Sequence, residues 1–539
     1  MQRRCLMKCR REASFVVWSF ICRGRSLLIL EKCRNMKQLL QAHAQIITGG
    51  LSNDNFALSR ILAFCSDPSH GSVSHAQLLF ETIKNPTLCI QNTMIKAYLL
   101  KGEYIKSIEI YRRMLHDGMY PDNYTLPYIL KACINLSDAK IGSMVHTHIL
   151  KFGFLSDTYV GNTLVLMYMA FGETNFSREI FDRISQRNAS TWTLMINGYS
   201  KLGEIENARL IFDEAPMKDR GIWGCMISGY VQNNCFKEAL SMFRLMQIEG
   251  SEPDEGAFVS VLCACAQLGA IDIGTWIHHY LNRVGFKLSI QLATSLIDMY
   301  VKCGKLALAR KIFNMITQKD TICYNVMIFG VAMHGDGRGA LDLFATMQKE
   351  GFKPDSSTFL AILTACSHSG LVQEGLNLFN NMRTLYNIEP KGEHYGCIVD
   401  FLARAKMFEE AKRTIEQIPR PARSSEKAIA WRSLLSACWN HGEFRLAEIA
   451  AHNLMELEAQ SGVYVLISNI YENSGRYEDS KRMRKNMKCR GVMKVPGCSA
   501  IEICGRVHEF VAGEKLHHCI GEILEVLDVL TDQLAGPNG

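Results

Sequence analysis

Proline is scarce in this sequence, at 12 of 539 residues, and tryptophan scarcer still, at 6. So little proline excludes a Pro-rich or collagen-like chain, and with plentiful Ala, Leu, Met, Lys and Glu it favours long stretches of helix over strands and turns. No stretch is apolar for long enough to cross a bilayer, so no membrane insertion is expected. The body has no Cys-x-x-Cys pair among its cysteines, and His441-Gly442-Glu443 supplies the His-x-Glu half of a zinc deaminase signature without its Pro-Cys-x-x-Cys half. That tripeptide reads instead as a loop between two helices, like His334-Gly335-Asp336 and His368-Ser369-Gly370. No metal, cofactor or catalytic residue is therefore expected, and the chain reads as a non-enzyme.

Charge of one sign is also missing from most of the chain. The formal net charge is +7, yet residues 1–38 hold ten Lys or Arg against Glu12 and Glu31, which leaves the remainder near −1. A polyanion bound by the body must meet a local stripe of charge or specific polar contacts. The basic residues of Met1–Ser26 flank a short apolar patch, Phe15 to Cys22, and read as an organelle transit peptide. The Arg-heavy, Ser-poor leader favours the mitochondrion, with the chloroplast as the alternative.

At 60.8 kDa, 48% hydrophobic and 21% charged, the chain is built to fold but too long for one compact core. Its 20 cysteines are scattered, several as Ala-Cys pairs at Cys133, Cys265, Cys366 and Cys438, and read as small core residues in a reducing compartment.

Self-similarity organises the rest. Tyr324-Asn-Val-Met-Ile-Phe-Gly-Val331 matches Trp223-Gly-Cys-Met-Ile-Ser-Gly-Tyr230, Trp192-Thr-Leu-Met-Ile-Asn-Gly-Tyr199 and Gln91-Asn-Thr-Met-Ile-Lys-Ala-Tyr98. Two further unit types lie between these copies: one carries Leu-x-Ala-Cys then Gly-x-x-x-His, as in Leu262 to His278, and the other Asp-Met-Tyr-x-Lys-Cys-Gly at Asp298 to Gly304. The three unit types run 35, 35 and 31 residues. Within a unit the apolar spacing is helical twice over. Tyr324, Ile328 and Val331 line one face, Gly335-Asp336-Gly337 breaks the helix, and Ala340, Leu343, Phe344 and Met347 line a second. Pro121, Pro253, Pro354 and Pro390 recur just beyond the second helix. A lone helical hairpin cannot bury both stripes, so the units are expected to stack into an all-α, right-handed α-solenoid of helix-turn-helix repeats with a groove.

These motifs resemble the plant pentatricopeptide repeat family, in the class that alternates P, L and S units. The resemblance assigns residues 88–423 to ten repeats, 27–87 to a degenerate L and S pair, 428–495 to E extension motifs and 496–539 to an E+-like tail. The E extension rests on Trp431-Arg-Ser-Leu-Leu-Ser-Ala-Cys438 and Tyr464-Val-Leu-Ile-Ser-Asn-Ile-Tyr471. The tail rests on Pro496-Gly-Cys-Ser-Ala-Ile-Glu502 and Val507-His-Glu-Phe510, which are similar to the segment that leads into the family's DYW cytidine deaminase domain. That domain itself is not found in the sequence.

In such proteins the fifth and last residues of a P or S unit read one base of single-stranded organelle RNA, so the resemblance carries this role to particular positions. Asn92 with Asp122, and Asn325 with Asp355, are expected to read uracil. Thr193 with Asp219, and Thr294 with Asp320, are expected to read guanine, and Asn162 with Asn188 a pyrimidine. Gly224, Ser59 with Thr87, and Gly396 leave their bases unassigned, while Pro127, Val259 and Leu360 of the L units contribute spacing. The implied RNA is 5′-?-U-n-Y-G-n-n-G-U-n-n-3′. Lys201 and Lys302, at matching positions of two S units, are candidates for phosphate contact. An Asp after Pro, as at Asp122, Asp254 and Asp355, is also a good cap for the next helix, and the two roles are compatible. The function implied is site recognition for C-to-U editing of organelle transcripts, with a DYW-type deaminase or other editing factors recruited in trans by the C-terminal E region. The alternatives are a transcript stabilisation or splicing factor, and a protein scaffold like the tetratricopeptide arrays.

Overall fold

The hairpin of residues 321–349 shows how one repeat is written locally. The Asp320 carboxylate accepts the Cys323 backbone N–H at 2.8 Å and opens helix Thr321–Met333. Gly335, at φ +80°, takes the left-handed conformation that ends it, and helix Gly337–Lys349 runs back. Tyr324, Ile328 and Val331 of the first helix and Ala340, Phe344 and Met347 of the second are all buried.

The computed structural model describes residues 30, 32–51, 54–67, 69–418, 424–458, 461–492, 497–503, 506–512 and 519–535. The expected transit peptide, residues 1–26, lies outside them. The chain divides into two compact units, 1–233 and 234–539. In the first, helical hairpins follow one another from helix Met36–Thr48 to helix Arg220–Gln232; in the second they run from Phe236–Ile248 to Tyr477–Cys489. Within each unit the first helix of a hairpin packs on the first helix of the next, as Ala189–Lys201 does on Arg220–Gln232 and Thr321–Met333 on Ser356–Ser369. Second helices pack on their own first helix and the following one. Each unit is thus an α-solenoid. Helix Ser424–His441 opens the C-terminal pairs four residues ahead of the expected boundary at 428.

An aromatic contact recurs at the junctions. Phe181 meets Trp192 with centroids 5.0 Å apart, Phe212 meets Trp223 at 4.8 Å, and Phe313 meets Tyr324 at 5.1 Å, all edge to face. A cation covers each phenylalanine: Arg187 at 4.5 Å, Lys218 at 5.2 Å and Lys319 at 5.1 Å. Gln91 takes the Trp192 position in the repeat that starts at residue 88, and its buried Oε1 has no hydrogen-bond partner among the described residues. First helices approach closely where glycine allows it. A Cβ on Gly330 would lie 2.5 Å from Cγ2 of Val301 on the neighbouring first helix. The four Ala-Cys cysteines are wholly buried, and burial pushes the Cys133 and Cys438 thiols up to about 12 and Cys366 to about 11.

The C-terminal tail departs from the helical pattern. Strands Cys498–Ile503 and Arg506–Val511 pair antiparallel, with Ile501 opposite His508. Glu502 then reaches a helix some 230 residues earlier in the sequence, accepting the backbone N–H groups of Asp272 at 2.7 Å and Ile273 at 3.2 Å. Those are unsatisfied amides of the first turn of helix Ile271–Val284, where a carboxylate is favoured. Burial nevertheless holds the Glu502 carboxyl above its ordinary range, the two amide bonds offsetting only part of it.

Candidate nucleic-acid interface

The last residue of a repeat sits where the next first helix begins. Asn188, Asp219, Asp320 and Asp355 are N-caps, each accepting a backbone N–H of the first turn. Asp122 does the same three residues ahead of helix Thr125–Leu136, accepting N–H groups from Tyr124 at 3.0 Å and Thr125 at 2.7 Å. The fifth residue lies one turn into its own first helix. The register therefore brings the fifth side chain of one repeat toward the cap of the next.

At Asn92 and Asp122 this closes a network. Asn92 Nδ2 donates to both Asp122 oxygens at 3.1 Å, and the Thr125 hydroxyl lies 2.6 Å from Asn92 Oδ1 and 2.8 Å from Asp122 Oδ1. Burial raises the Asp122 carboxyl, but the Thr125, Asn92 and Tyr124 donors outweigh it and leave the group below the usual carboxylate range. The second unit repeats the arrangement. Asn325 Nδ2 donates to Asp355 Oδ1 at 3.0 Å, and the Thr358 hydroxyl lies 2.6 Å from Asn325 Oδ1 and 3.0 Å from Asp355 Oδ1. In both copies the amide oxygen is turned toward threonine and one Nδ2 hydrogen toward the carboxylate. The remaining Nδ2 hydrogen is a donor with a fixed direction.

The other expected pairs are arranged differently. Asn162 and Asn188 line one surface cavity of about 350 Å³ with Lys131 and Tyr159, and Asn162 Oδ1 is a buried acceptor without a partner among the described residues. Asn188 is held by Thr191, whose N–H and hydroxyl both lie 3.0 Å from its Oδ1. Thr193 donates to Ser190 of its own helix at 3.1 Å, and Asp219 caps Ile222 at 2.9 Å. Thr294 is buried against the Cys323 thiol, and Asp320 caps Cys323. Among the described residues no hydrogen bond joins Thr193 to Asp219 or Thr294 to Asp320. Lys201 is exposed at the end of its helix, whereas Lys302 is engaged by Asp298 at 2.8 Å. Pro127 is buried, and Val259 and Leu360 are half-buried. Gly396 has a packing reason: a Cβ there would lie 2.8 Å from Cγ2 of Ile429.

Thr125 and Thr358, the third members of the two closed networks, are absent from the expected set. Their signal was the Pro-Asp-x-x-Thr spacing at Pro121 to Thr125 and Pro354 to Thr358, a capping-box pattern that Pro253-Asp-Glu-Gly-Ala257 lacks.

Comparison with known proteins follows the same outline. A PPR repeat model matches residues 92–119, 190–219, 221–251, 293–320 and 357–385, a PPR repeat family model matches 319–368, and an E motif model matches 441–502. A pentatricopeptide repeat-containing protein of Arabidopsis thaliana is 40% identical over 504 residues, covering 93% of this chain and 93% of that protein. A chloroplastic pentatricopeptide repeat-containing protein of the same plant is 34% identical, covering 94% of this chain and 83% of its own length. The crystal structure of the pentatricopeptide repeat protein PPR10 from maize superposes with a TM-score of 0.54 at 16% identity, covering 86% of this chain and 73% of that one.

Proposed function

This chain belongs to the pentatricopeptide repeat family, and on that premise we propose that it binds single-stranded organelle RNA and reads its sequence one base per P or S repeat. The observation that carries this reading is the Asn–Asp–Thr network formed twice, at Asn92, Asp122 and Thr125 and at Asn325, Asp355 and Thr358. An amide whose oxygen is turned toward threonine presents its remaining N–H as a donor. A uracil offers it a carbonyl oxygen, whereas the amino edge of adenine offers only another donor at the matching place. The free acceptor of Asn162 suits the N–H donors of a pyrimidine edge, and Thr193 with Asp219 and Thr294 with Asp320 are assigned to guanine. Lys201 is placed at phosphate; Lys302 would have to exchange Asp298 for it.

The role proposed for this binding is site recognition in C-to-U editing, with the C-terminal E region recruiting a DYW-type deaminase or another editing factor in trans. Helix Ile520–Ala535 supports a protein partner, since Leu524, Val526, Leu527, Val529 and Leu530 are all exposed along it. The compartment is proposed to be the mitochondrion, with the chloroplast as alternative.

Binding is tested with RNAs of the implied sequence and the full chain: Asn325→Thr should move the preference at a single position from U toward G, and an unchanged preference would refute base reading there. Editing is tested separately, by sequencing organelle RNA from a loss-of-function plant. One lost edited cytidine is expected; intact editing with altered transcript ends would exclude that role. A fluorescent fusion of the first sixty residues decides the compartment.

A further inference from the structure

A cavity of about 800 Å³ opens between the second helix of repeat 255–289 and the whole of repeat 290–320, within the second unit. Its size is that of a small-ligand site. The rim carries His278, His279, Lys287 and Lys311, and no carboxylate lines it. Lys287 and Lys311 are exposed and have no ion-pair partner among the described residues. His278 Nδ1 lies 2.9 Å from the Tyr300 hydroxyl, which fixes the ring. Burial, with His279 and Lys311 nearby, lowers the His278 pKa. The floor is apolar, formed by Ile290, Ala293, Leu308 and Ile312.

The same L-to-S junction occurs in the first unit and serves as an internal control. There His146 and Tyr168 keep the histidine–tyrosine hydrogen bond, also at 2.9 Å. The position of Leu308 is taken by Phe176, which stacks on Tyr168 with centroids 5.4 Å apart. Leu155 replaces Lys287, and Glu179, paired with Arg183, replaces Lys311. The fold therefore needs neither the open floor nor the two lysines. At 255–320 a ring is missing, a carboxylate is missing and two cations are added around one space.

We propose that this cavity binds a nucleoside phosphate, the base and ribose against the apolar floor and the phosphate between Lys287 and Lys311. The exposed His279 ring offers a face on which a base can stack. This stands apart from base reading at Thr294 and Asp320. Two sources share the chemistry: a nucleotide of the bound strand at the position where Val259 reads nothing, or a free nucleotide.

Calorimetry on the full chain with UMP and with uridine tests the site. UMP is expected to bind and uridine to bind at least tenfold more weakly. Lys287→Glu with Lys311→Glu should weaken UMP at least tenfold, whereas Lys349→Glu with Lys353→Glu, two exposed lysines elsewhere, should not. Leu308→Phe restores the ring of the other junction without touching charge and should also weaken UMP at least tenfold, with melting curves confirming that each variant folds. In parallel, RNA carrying 4-thiouridine opposite repeat 255–289 is irradiated: a crosslink within helix Ile271–Val284 assigns the strand as source, and calorimetric binding without that crosslink assigns a free nucleotide. Absence of both, or variants that bind UMP and crosslink as the wild type does, would overturn the proposal.

Discussion

Replacing Thr358 by valine keeps the shape of a wholly buried side chain and removes one hydroxyl from the Asn325–Asp355 network. That hydroxyl has a single hydrogen, shared between Asn325 Oδ1 at 2.6 Å and Asp355 Oδ1 at 3.0 Å, and it accepts the Asp355 backbone N–H at 3.0 Å. Valine therefore leaves one acceptor and one donor short. At about 1 kcal/mol for each, the start of helix Ser356–Ser369 should lose about 2 kcal/mol of local stability, read by hydrogen exchange over its first turn. The Asn325 amide keeps its bond to Asp355 but loses the contact that holds its oxygen. About 1 kcal/mol of orientational preference goes with it, close to fivefold in affinity. Fluorescence-anisotropy competition among four RNAs that differ at this one base should show the uracil preference falling by about that factor, with the preferences at other positions unchanged. If helix stability falls while the uracil preference stays whole, the threonine is a cap and nothing more, and the account of a pinned donor fails.

Other outcomes follow from the same geometry. Asp122 titrates below its unfolded value of about 3.9, so its stabilisation is complete above that value and is lost as pH falls through the lower native one; acid unfolding between about pH 5 and pH 2 should be less steep in Asp122→Asn. Gly330→Ala places a methyl 2.5 Å from a stiff, β-branched Val301 and should destabilise the second unit by about 1–3 kcal/mol in chemical denaturation. Alkylation at neutral pH followed by mass spectrometry should label the exposed Cys89 and Cys489 quickly and leave Cys133, Cys366 and Cys438 unmodified, since burial keeps those three thiols protonated. Glu502→Ala should raise hydrogen exchange at Asp272 and Ile273 at least tenfold, while Glu502→Gln, which still accepts from an amide, should leave it nearly unchanged; equal exchange in wild type and Glu502→Ala would exclude the contact.

Legibility in the sequence tracked the range over which each feature is determined. Hairpin limits were written in local signals, such as the caps Asp219, Asp320 and Asp355 and the glycine at 335, because capping and left-handed turns depend on a few neighbouring residues. The pairing of Asn92 with Asp122 was legible only through the resemblance to the pentatricopeptide repeat family, and the two side chains do meet. Thr125 and Thr358 were visible as cap partners, yet their second bond, to an asparagine 33 residues earlier, depends on how closely consecutive first helices stack. Gly396 reads in sequence as a missing reader, and its approach to Ile429 emerges only once two helices are packed. The Glu502 contact had no local signal at all, since both partners look like ordinary surface residues until the chain is folded. Nor did the tail's strands announce themselves beside so regular a helical period.

A residue that closes one repeat while starting the helix of the next serves two masters. Under the proposed one-base-per-repeat reading, a change of letter at Asp122 or Asp355 would alter the recognised base and the seam between adjacent modules together, since both carboxylates also cap the next helix. The vocabulary available there is confined to short side chains that can accept an amide hydrogen, chiefly Asp, Asn, Ser and Thr. Re-targeting this protein by swapping such residues will therefore succeed most readily within that small alphabet. A designer wanting a wider one must first move the task of starting the helix to another position.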